Sequence, residues 1–428
     1  MENEDKTSTD IDFIRENLQS INYNVSGTTI GYYEDLLIKE LEHSVKYTDA
    51  VILFSDVGAP NSDILWQAIS KVFHQTIVSN RRLKKLYGVK NAYETMYSKC
   101  LEHPGVPPVI YLQGVFVIDY KEFKSAFLNI VVPVLKNLNA KLLLTQLLII
   151  DEVQNGKTLE LLPHSDKVHV AYDGGCTLHL SSTSMSALLE YESSVTKMFR
   201  NIQRDVGSDI SELVYNQRDL HIRHSVKCIE DCFKEYSPEN VFVSFNGGKD
   251  CTVLLHLILG VLRRNYPNFS GKLFCLYIEN SNPFEELNKF IEECRQYYNL
   301  DILKLNESIK DSLAFVLEDK PHMKGVFMGT RRTDPFSDHL KSFTMTDSNW
   351  PQIMRVSPLL DWHYSQIWDY LLLMKVPYCS LYDAGYTSLG NSTNTIPNPY
   401  LLVDNEQKKY LPAYKLLDGS KERSGRKT

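Results

Sequence analysis

The sequence predicts an α/β protein with two α/β domains, the second of which is built on a parallel sheet. Short apolar segments of strand length alternate with amphipathic segments of helical spacing. A chain of 428 residues is too long for one ordinary core. The polar, Gly-containing stretch "DVGSDISELVYNQ" separates the halves. We therefore predict a first domain at 1–205, a linker at 206–218 and a second domain at 219–428.

In the first half the elements are read from three segments. "TDAVILFSDVGAPNSDILWQAISKVF" predicts a buried strand, a turn and a helix. "PPVIYLQGVFVI" predicts a further strand, and "SAFLNIVVPVL" predicts a helix. Together they indicate an α/β domain that ends near Arg204.

The second half shows the clearer alternation. Strands are predicted at "ENVFVSF", "KLFCLYI", "LDILKL" and "KGVFMG". The segments between them predict helices, namely "DCTVLLHLILGVLRR", "PFEELNKFIEECRQYY" with Pro283 in its first turn, and "SIKDSLAFVLE". Such alternation implies parallel strands joined by crossover helices, and in these sheets ligands bind beyond the carboxyl ends of the strands.

Composition and charge exclude several classes of protein. A hydrophobic fraction of 43% and a charged fraction of 23% are typical of globular domains, and the longest apolar runs fall short of a membrane span. The net charge of −7 argues against extended nucleic-acid binding. The eight cysteines form no CxxC pair. Since the first ten residues are acidic and polar, we expect a cytoplasmic protein without membrane attachment, with an organellar or nuclear pool left open.

The segment "FNGGKDC", Phe245–Cys251, follows a predicted strand and opens a predicted helix. Adjacent glycines permit a tight turn, and N–H groups at a helix start favour an anion. The segment is not a Walker loop, because that motif has Ser or Thr after the lysine and an earlier glycine. Asp250 would either shape the turn or help to hold Mg²⁺. An ordinary strand-to-helix turn is the alternative.

This segment resembles the S-G-G-x-D-[ST] pyrophosphate loop of ATP pyrophosphatase and phosphoadenylyl-sulfate reductase domains. Asn246 stands in place of the first Ser, and Cys251 in place of the last hydroxyl residue. In that form the loop resembles the F-N-G-G-K-D-C of eukaryotic FAD synthases, the FMN adenylyltransferases. The resemblance implies an adenine nucleotide alpha-hydrolase-like fold for the second domain.

Later segments are similar to this family in the same order. "VFMGTRRTDP" matches G-x-R-x-T-D-P, "TDSNWP" is shared, "YDAGYTSLGNSTNTIPNPYL" resembles a functional loop, and "KERSGR" matches E-R-x-x-R. Trp350 on its own would more simply be a core residue, and the basic tail on its own a solvated charge run. The five segments together span Asp219 to Lys427.

The resemblance implies a set of site residues. The catalytic residues would be Asn246, Asp250, Asp334, Arg423 and Arg426, with Asp250 and Asp334 also ligating a metal. ATP would be bound by Ser244, Gly247, Gly248, Lys249, Cys251, Ile278, Gly329 and Arg331. The flavin would be bound by Asp347, Trp350 and Arg355.

The implied reaction is FMN + ATP → FAD + pyrophosphate, with Mg²⁺ carried in by ATP. FAD produced in this way would be available for transfer to apo-flavoproteins.

Two other classes of enzyme share the glycine loop. A sulfonucleotide reductase needs a C-terminal nucleophilic Cys, which the sequence lacks after Cys379, and another ATP pyrophosphatase does not account for "TDSNWP". A non-catalytic flavin or nucleotide sensor is a hypothesis of a different class.

The first half resembles the molybdopterin-binding-like domain of animal FAD synthases in a degenerate form. "FSDVGAPNSD" aligns with T-G-G-x-G-P-T-x-D-D and retains Gly58 and Asp63, and "QGVF" stands for P-G-V-P. Because the paired glycines are replaced by Ser55 and Asp56, we expect molybdopterin binding to be weak or absent.

Overall fold

The structure is a computed structural model, and it describes residues 2–21, 23–26, 34–55, 62–79, 83, 93–95, 98–120, 123–139, 144–150, 162–172, 177–198, 202–205, 208–269 and 271–427. The candidate site residues of the second half lie within these ranges. Residues 56–61 of the degenerate front motif, including Gly58, lie outside the described residues. Among the helices that the structure describes, none has the length and apolar character to span a membrane.

The helices that the structure describes are α1 Glu2–Gln19, α2 Glu34–Tyr47, α3 Ser62–Phe73, α4 Phe123–Ala126, α5 Val132–Asn139, α6 Met185–Thr196, α7 Ser208–Tyr215, α8 Leu220–Tyr236, α9 Lys249–Asn265, α10 Glu285–Tyr297, α11 Ile309–Asp319 and α12 Tyr364–Leu373. The strands are β1 Val51–Ser55, β2 Ile77–Ser79, β3 Tyr93–Thr95, β4 Lys99–His103, β5 Val106–Leu112, β6 Val115–Asp119, β7 Leu144–Ile150, β8 His169–Tyr172, β9 Thr177–Ser182, β10 Ile202–Asp205, β11 Val241–Ser244, β12 Phe274–Ile278, β13 Asp301–Leu305, β14 Gly325–Phe327, β15 Phe343–Met345, β16 Met354–Val356, β17 Leu402–Asp404 and β18 Lys409–Tyr410.

The first compact unit comprises residues 1–140 together with 414–419. Its main sheet has the order β1-β6-β5-β4, in which β1 and β6 are parallel and the other pairs are antiparallel. The apolar face of α3, with Trp66, Ile69 and Phe73, packs in one core with Ile110 and Val115 of the sheet. The predicted strand, turn and helix at the start of this unit are therefore confirmed for β1 and α3.

The prediction of one strand across "PPVIYLQGVFVI" is wrong, because the segment forms two antiparallel strands, β5 and β6. Gln113 and Gly114 lie between them with φ angles of +45° and +86°. Two successive left-handed residues make the type I′ turn that matches the twist of a hairpin. Gln113 gave no sign of a turn in the sequence. The predicted helix "SAFLNIVVPVL" is confirmed, with a π-helical stretch at Phe127–Val131 between α4 and α5.

The second compact unit comprises residues 141–413 and 420–428, so the structure divides the chain elsewhere than predicted. Strands β10-β7-β9-β8 form an antiparallel sheet that belongs to this unit and not to the first. The predicted linker 206–218 contains α7, which packs on α9. A Cβ built on Gly260 of α9 would lie 2.7 Å from Cγ2 of Val214.

The six-stranded sheet of the second unit has the order β13-β12-β11-β14-β16-β15. All neighbours are parallel except β15 and β16. The predicted strands and helices of this region are confirmed, although α10 starts at Glu285 after the N-cap residue Phe284, so Pro283 precedes the helix. Successive strands run outward from β11 to β13, and β14 then lies on the other side of β11. The strand order therefore reverses between β11 and β14, which is where such sheets bind ligands.

Helix α9 follows β11 and is buried along almost its whole length. Residues on every side of it are buried, including Val253, Leu254, Ile258 and Val261. A helix that is apolar all round must lie inside a core. This burial fixes its N-terminus at the carboxyl end of β11.

We expect Gly260→Ala to destabilise the protein. Alanine in a helix interior normally stabilises by about 1 kcal/mol over glycine. Here the new Cβ would overlap Val214, and overpacking of this kind costs about 1–3 kcal/mol. Thermal unfolding measures the difference. The double variant Gly260→Ala/Val214→Ala should recover most of the loss, whereas a Gly260→Ala variant that melts at or above the parent would contradict the packing of α7 on α9.

Candidate active site

The glycine loop, Asn246–Gly248, joins β11 to α9 at the point where the strand order reverses. Gly247 has a φ of +70°, and a Cβ on it would lie 2.7 Å from Cγ1 of Ile291. Asn246 Oδ1 accepts a hydrogen bond of 2.9 Å from the Gly248 N–H. Both conformation and space therefore require glycine at 247, and Asn246 holds the turn closed.

A second strand end meets this loop. Gly329 follows β14, and a Cβ on it would lie 3.0 Å from both the backbone N and the Sγ of Cys251. The absence of that Cβ lets the segment after β14 pass against the first turn of α9. Gly329 and Cys251, both predicted as ATP-binding, are thus brought together by close backbone packing.

Lys249, the first residue of α9, is turned into the protein. Its side chain is 2% exposed, and its Nζ binds Glu422 and lies 3.0 Å from Asp250 Oδ2. The rings of Tyr364 and Tyr382 lie 5.4 and 6.0 Å from this ammonium group. In this structure the charge of Lys249 is paired with two carboxylates, and its predicted role in binding ATP stays a prediction.

Arg331 lies on the segment after β14 and is also buried, with its side chain 1% exposed. Its Nη2 donates to Glu422 Oε2 at 2.5 Å, and its Nε lies 2.7 Å from Asp250 Oδ1. Lys249, Asp250, Arg331 and Glu422 therefore form one buried group with two positive and two negative charges, here called the ion cluster. It joins the glycine loop, the β14 segment and the C-terminal segment.

The neighbouring charges of the ion cluster favour the ionised forms of Asp250 and Arg331. Burial works against ionisation of Asp250, but the charges of Arg331 and Lys249 outweigh it and lower the pKa of that carboxyl. Burial likewise disfavours the charge on Arg331. The carboxylates of Asp250 and Glu422 outweigh this effect of burial and raise the pKa of Arg331. Asp250 and Arg331 are therefore both charged at neutral pH.

Asp334 lies beside the ion cluster, and its negative charge is less well compensated by nearby positive groups than that of Asp250. Its Oδ2 accepts a hydrogen bond of 2.9 Å from the Arg331 backbone N–H, and its Oδ1 lies 3.9 Å from Nη1 of Arg423. Burial raises the pKa of Asp334, and the nearby carboxylates of Asp250 and Glu422 raise it further despite Arg331. A cation placed at this carboxylate would be stabilising.

The two predicted C-terminal arginines are placed differently. Arg423 lies near Asp334, and its side chain is 48% exposed. Arg426 is directed to the loop after Tyr386 instead, and it donates to Ser388 Oγ at 3.1 Å, Thr395 Oγ1 at 3.1 Å and Leu389 O at 2.5 Å. A Cβ on Gly390 would overlap its guanidinium group. Arg426 therefore holds that loop, whereas Arg423 lies beside Asp334. The catalytic roles of both arginines stay predictions.

The C-terminal segment is held against the site by further hydrogen bonds. The Lys249 backbone N–H donates to Tyr382 Oη at 2.8 Å. Thr387 Oγ1 donates to the Glu422 carbonyl at 2.6 Å, and Asn398 Nδ2 donates to the Lys421 carbonyl at 2.8 Å. These contacts hold the long loop from Tyr382 to Leu401, whose regular structure is limited to 3₁₀ turns at its two ends.

Glu422 and Tyr382 are site residues that sequence reasoning missed. Glu422 belongs to the E-R-x-x-R segment, but a glutamate in a terminal charge run gives no sign that it will be 11% exposed between two cations. Tyr382 stands at the start of the long loop. The available signal was the position of each residue inside a family segment, and its role depended on contacts across more than 100 residues of chain.

Two buried groups of α9 have no acid–base or nucleophilic character at neutral pH. Burial, reinforced by Asp250, raises the pKa of the Cys251 thiol to about 12. Burial lowers the pKa of His256 to about 3, and its Nδ1 lies 2.8 Å from Tyr370 Oη. Cys251 is therefore a packing residue, unlike the reactive thiolate that reductase chemistry needs.

Of the predicted flavin residues, Asp347 and Trp350 lie between β15 and β16, and Arg355 lies within β16. The Trp350 backbone N–H donates to the Asp347 carbonyl at 2.9 Å, and the Arg355 guanidinium donates to the Met345 carbonyl at 2.9 Å. Arg355 Nη2 also lies 3.8 Å from Asp347 Oδ1. Trp350 is half-buried against the core of the sheet, which also agrees with its interpretation as a core residue. Their role toward a flavin stays a prediction.

The two remaining predicted residues lie at strand ends. Ser244 ends β11 and Ile278 ends the neighbouring β12. The next residue, Glu279, is fixed by Lys304 at 2.7 Å and by Asn288 at 2.7 Å. Both residues lie at the carboxyl edge of the sheet, and their predicted role in binding ATP stays a prediction.

The donor set fits Mg²⁺ carried by a nucleotide, with Asp334 as the available ligand. Carboxylate oxygens suit this ion, which takes its other ligands from phosphates and water. Asp334 Oδ1 has only the distant Arg423, whereas both oxygens of Asp250 face buried cations. The described residues contain no group of three or more His, Cys, Asp or Glu arranged for a metal. The role predicted for Asp250 as a ligand would require it to leave the ion cluster.

A cavity of about 1060 Å³ lies away from this site. It is lined at the C-terminal end of α9 by Arg263, Tyr266 and Phe269, and by Lys197 and Arg295 of neighbouring helices. A helix of 17 residues is about 25 Å long, so this cavity is far from the glycine loop at the other end.

Comparison with known proteins agrees with the fold of the second unit. The model of the phosphoadenosine phosphosulfate reductase domain matches residues 240–397, which contain the glycine loop, Arg331 and Asp334. The fold and this loop thus define a nucleotide-binding protein of that domain class.

Relatives with similar sequences identify the family within this domain class. A probable FAD synthase of Schizosaccharomyces pombe is 41% identical over 219 residues, which cover 50% of this chain and 81% of that protein. A probable FAD synthase of Caenorhabditis briggsae is 40% identical over 208 residues, 48% of this chain and 40% of that protein. The solved FMN adenylyltransferase of Candida glabrata with FMN and an ATP analogue is 31% identical, covers 51% of this chain and 99% of its own, and has a TM-score of 0.47. The chain belongs to the FAD synthase family.

We expect Glu422→Gln to destabilise the protein by about 3–5 kcal/mol. Glutamine keeps the shape but leaves Lys249 and Arg331 with a single buried carboxylate, and removing one partner of a buried ion pair costs this much. Thermal or urea unfolding measures the loss. The matched control is Glu406→Gln, because Glu406 is exposed and its substitution should change stability by less than about 0.5 kcal/mol. An equally stable Glu422→Gln variant would contradict the ion cluster.

We expect Asp334→Asn to raise the melting temperature of the free protein at neutral pH. The folded state raises the pKa of this carboxyl above its ordinary 3.8, so ionisation weakens folding as pH rises through that interval. Asparagine removes the charge and can still accept from the Arg331 N–H. The gain should vanish below about pH 3.8. Asp338→Asn is the control and should give no gain, since a hydrogen bond from His339 lowers the pKa of that exposed carboxyl.

Proposed function

We propose that this chain transfers the adenylyl group of ATP to FMN, giving FAD and pyrophosphate. Its family supports the reaction, and the observation that carries it is the ion cluster. This cluster brings the glycine loop, the β14 segment with Asp334 and the C-terminal segment with Arg423 to the one edge of the sheet where nucleotides bind.

The reaction needs no protein base. The FMN phosphate has a second pKa near ~6, so at neutral pH its oxygen is already an anionic nucleophile. That oxygen attacks the α-phosphorus of ATP. One P–O bond forms as the bond from the α-phosphorus to the bridging oxygen breaks, and both electrons of the broken bond leave with pyrophosphate. The high pKa of Cys251 and the low pKa of His256 agree with chemistry that uses neither group.

The chain must hold two polyanions together and stabilise charge on the leaving pyrophosphate. Like charges about 4 Å apart repel by about 4 kcal/mol per unit pair at an effective dielectric of 20. A phosphate at the glycine loop would lie at the positive end of the α9 dipole. The Gly248 and Lys249 N–H groups already donate to Asn246 and Tyr382, so the dipole would supply the attraction without new bonds from these two groups. Arg423 supplies a partly exposed positive charge at the same edge.

The remaining residues act by position. Lys249 and Arg331 keep the loop and the C-terminal segment in register through the ion cluster, and Arg426 fixes the loop around Ser388. Asp334 would hold Mg²⁺. The ion, when bound, neutralises phosphate charge and helps to align the nucleotide. Delivery of FAD to apo-flavoproteins is a further part of this proposal.

Incubation of the purified protein with FMN, ATP and Mg²⁺ tests the function. FAD and pyrophosphate are both measured, and we expect them to form in equal amounts. Binding of FMN and ATP without FAD would favour a sensor. Pyrophosphate without FAD would favour another ATP pyrophosphatase.

We expect Arg423→Gln to lower kcat by about 10²–10³-fold with little change in melting temperature. Loss of one group that stabilises transition-state charge typically has this effect, and Arg423 is half-exposed and outside the ion cluster. Lys427→Gln, four residues along the same segment, is the control and should keep near-parent activity. Equal kcat values for the two variants would contradict a role for Arg423 in stabilising the transition state.

A further inference from the structure

Phe336 lies two residues after Asp334 on the loop that follows β14. It is 91% exposed, the highest value among the exposed large hydrophobic residues in the described part of the chain. Its backbone also has a φ of +61°. A bulky residue in the left-handed region is an outlier, and here it combines that strain with almost complete loss of packing.

The strain comes from the type of turn. The Ser337 N–H donates to the Asp334 carbonyl at 3.2 Å, which closes a four-residue turn over 334–337. Pro335 takes the second position and Phe336 the third. A positive φ at the third position makes this a type II turn, where glycine is strongly preferred. Neither turn propensity nor burial therefore accounts for phenylalanine at 336.

The turn is held rigidly on both sides. On one side, Asp334 accepts the hydrogen bond from the Arg331 N–H. On the other, Arg332 donates from Nη1 to the carbonyls of Asp338 at 3.0 Å and Leu340 at 2.9 Å, and from Nε to Asp361 at 2.5 Å. The braced turn beside the site thus fixes the backbone from which the ring of Phe336 extends into solvent.

We propose that Phe336 is a positioning residue that stacks on the planar heteroaromatic ring of a bound substrate. This proposal rests on the proposed function, because FMN and ATP each carry such a ring at a short distance from the phosphates that Asp334 and Arg423 serve. An aromatic face gains from stacking on a flat ring, and a rigid turn avoids the entropy cost of ordering it on binding. The ring is isoalloxazine or adenine, and the two are separated by experiment.

Three variants test this role. Phe336→Gly removes the ring and relieves the backbone, so it should melt at a higher temperature than the parent. It should also raise the KM of one substrate by about 5- to 150-fold, with kcat changed by less than about 3-fold. Phe336→Leu removes the ring but keeps the strain, so it should raise the same KM without the gain in melting temperature. Phe336→Tyr should keep both values near the parent.

The substrate whose KM rises identifies the ring: FMN for isoalloxazine, ATP for adenine. Equilibrium binding of FMN, followed by its fluorescence, and of ATP, followed by calorimetry, should give the same pattern in Kd. Unchanged KM and Kd for both substrates in Phe336→Gly and Phe336→Leu would overturn the proposal. A lower melting temperature for Phe336→Gly would overturn it as well, by showing that the side chain is structural.

The parent protein separates this proposal from the proposed function. If it binds FMN or ATP but forms no FAD, the function fails while the Kd values of the variants still decide on Phe336. If the parent forms FAD and the variants bind both substrates as the parent does, the proposal for Phe336 is wrong and the proposed function stands. If the parent binds neither substrate, both are wrong.

Discussion

The site depends on four buried charges that come from three distant parts of the chain. Lys249 and Asp250 begin α9, Arg331 follows β14, and Glu422 lies near the C-terminus. Desolvating four charges is expensive, and the group is stable only because each charge has an opposite partner within hydrogen-bond distance. The result is that three segments cannot separate without leaving a charge unpaired. The geometry of the site is therefore maintained by electrostatics and not by a contiguous secondary structure.

The same arrangement explains why the neighbouring groups remain available for chemistry. The ion cluster neutralises itself, so the carboxylate of Asp334 and the guanidinium of Arg423 stand outside it with weak mutual pairing at 3.9 Å. The raised pKa of Asp334 indicates that its charge is not fully compensated in the free protein. Charges that are not compensated within the protein lower the stability of the free protein and raise its affinity for a ligand that compensates them. This relation between stability and binding is common at functional sites.

The sequence predicted the sheet of the second unit well, because strand and helix periods alternate cleanly and α9 is apolar on every side. It also singled out the glycine loop, Gly329, Asp334 and Arg423, which the structure brings to the same edge of the sheet, while their roles stay predictions. It failed where the outcome depended on tertiary contacts. Glu422 looked like a solvated residue, and nothing in the sequence indicated that Lys249 would be buried against it or that Arg426 would bind the loop around Ser388. Which charge is buried, and against what, is decided by chain segments more than 80 residues apart.

The domain boundary and the hairpin in the first unit were missed for local reasons. Residues 206–218 are polar on average, yet α7 turns Val214 onto Gly260 of α9. Gln113 adopts a left-handed conformation without the residue type that normally marks it.

A double-mutant cycle on catalytic efficiency tests most directly whether the ion cluster positions Arg423. Glu422→Gln, Arg423→Gln and the double variant are compared with the parent by kcat/KM for FAD formation, under conditions where all four remain folded. If Glu422 acts by placing Arg423, the double variant should be scarcely slower than the worse single variant, with an interaction energy above about 1 kcal/mol. Losses that simply add would show that the cluster and Arg423 act independently, and would contradict the coupling of the glycine loop to the C-terminal segment.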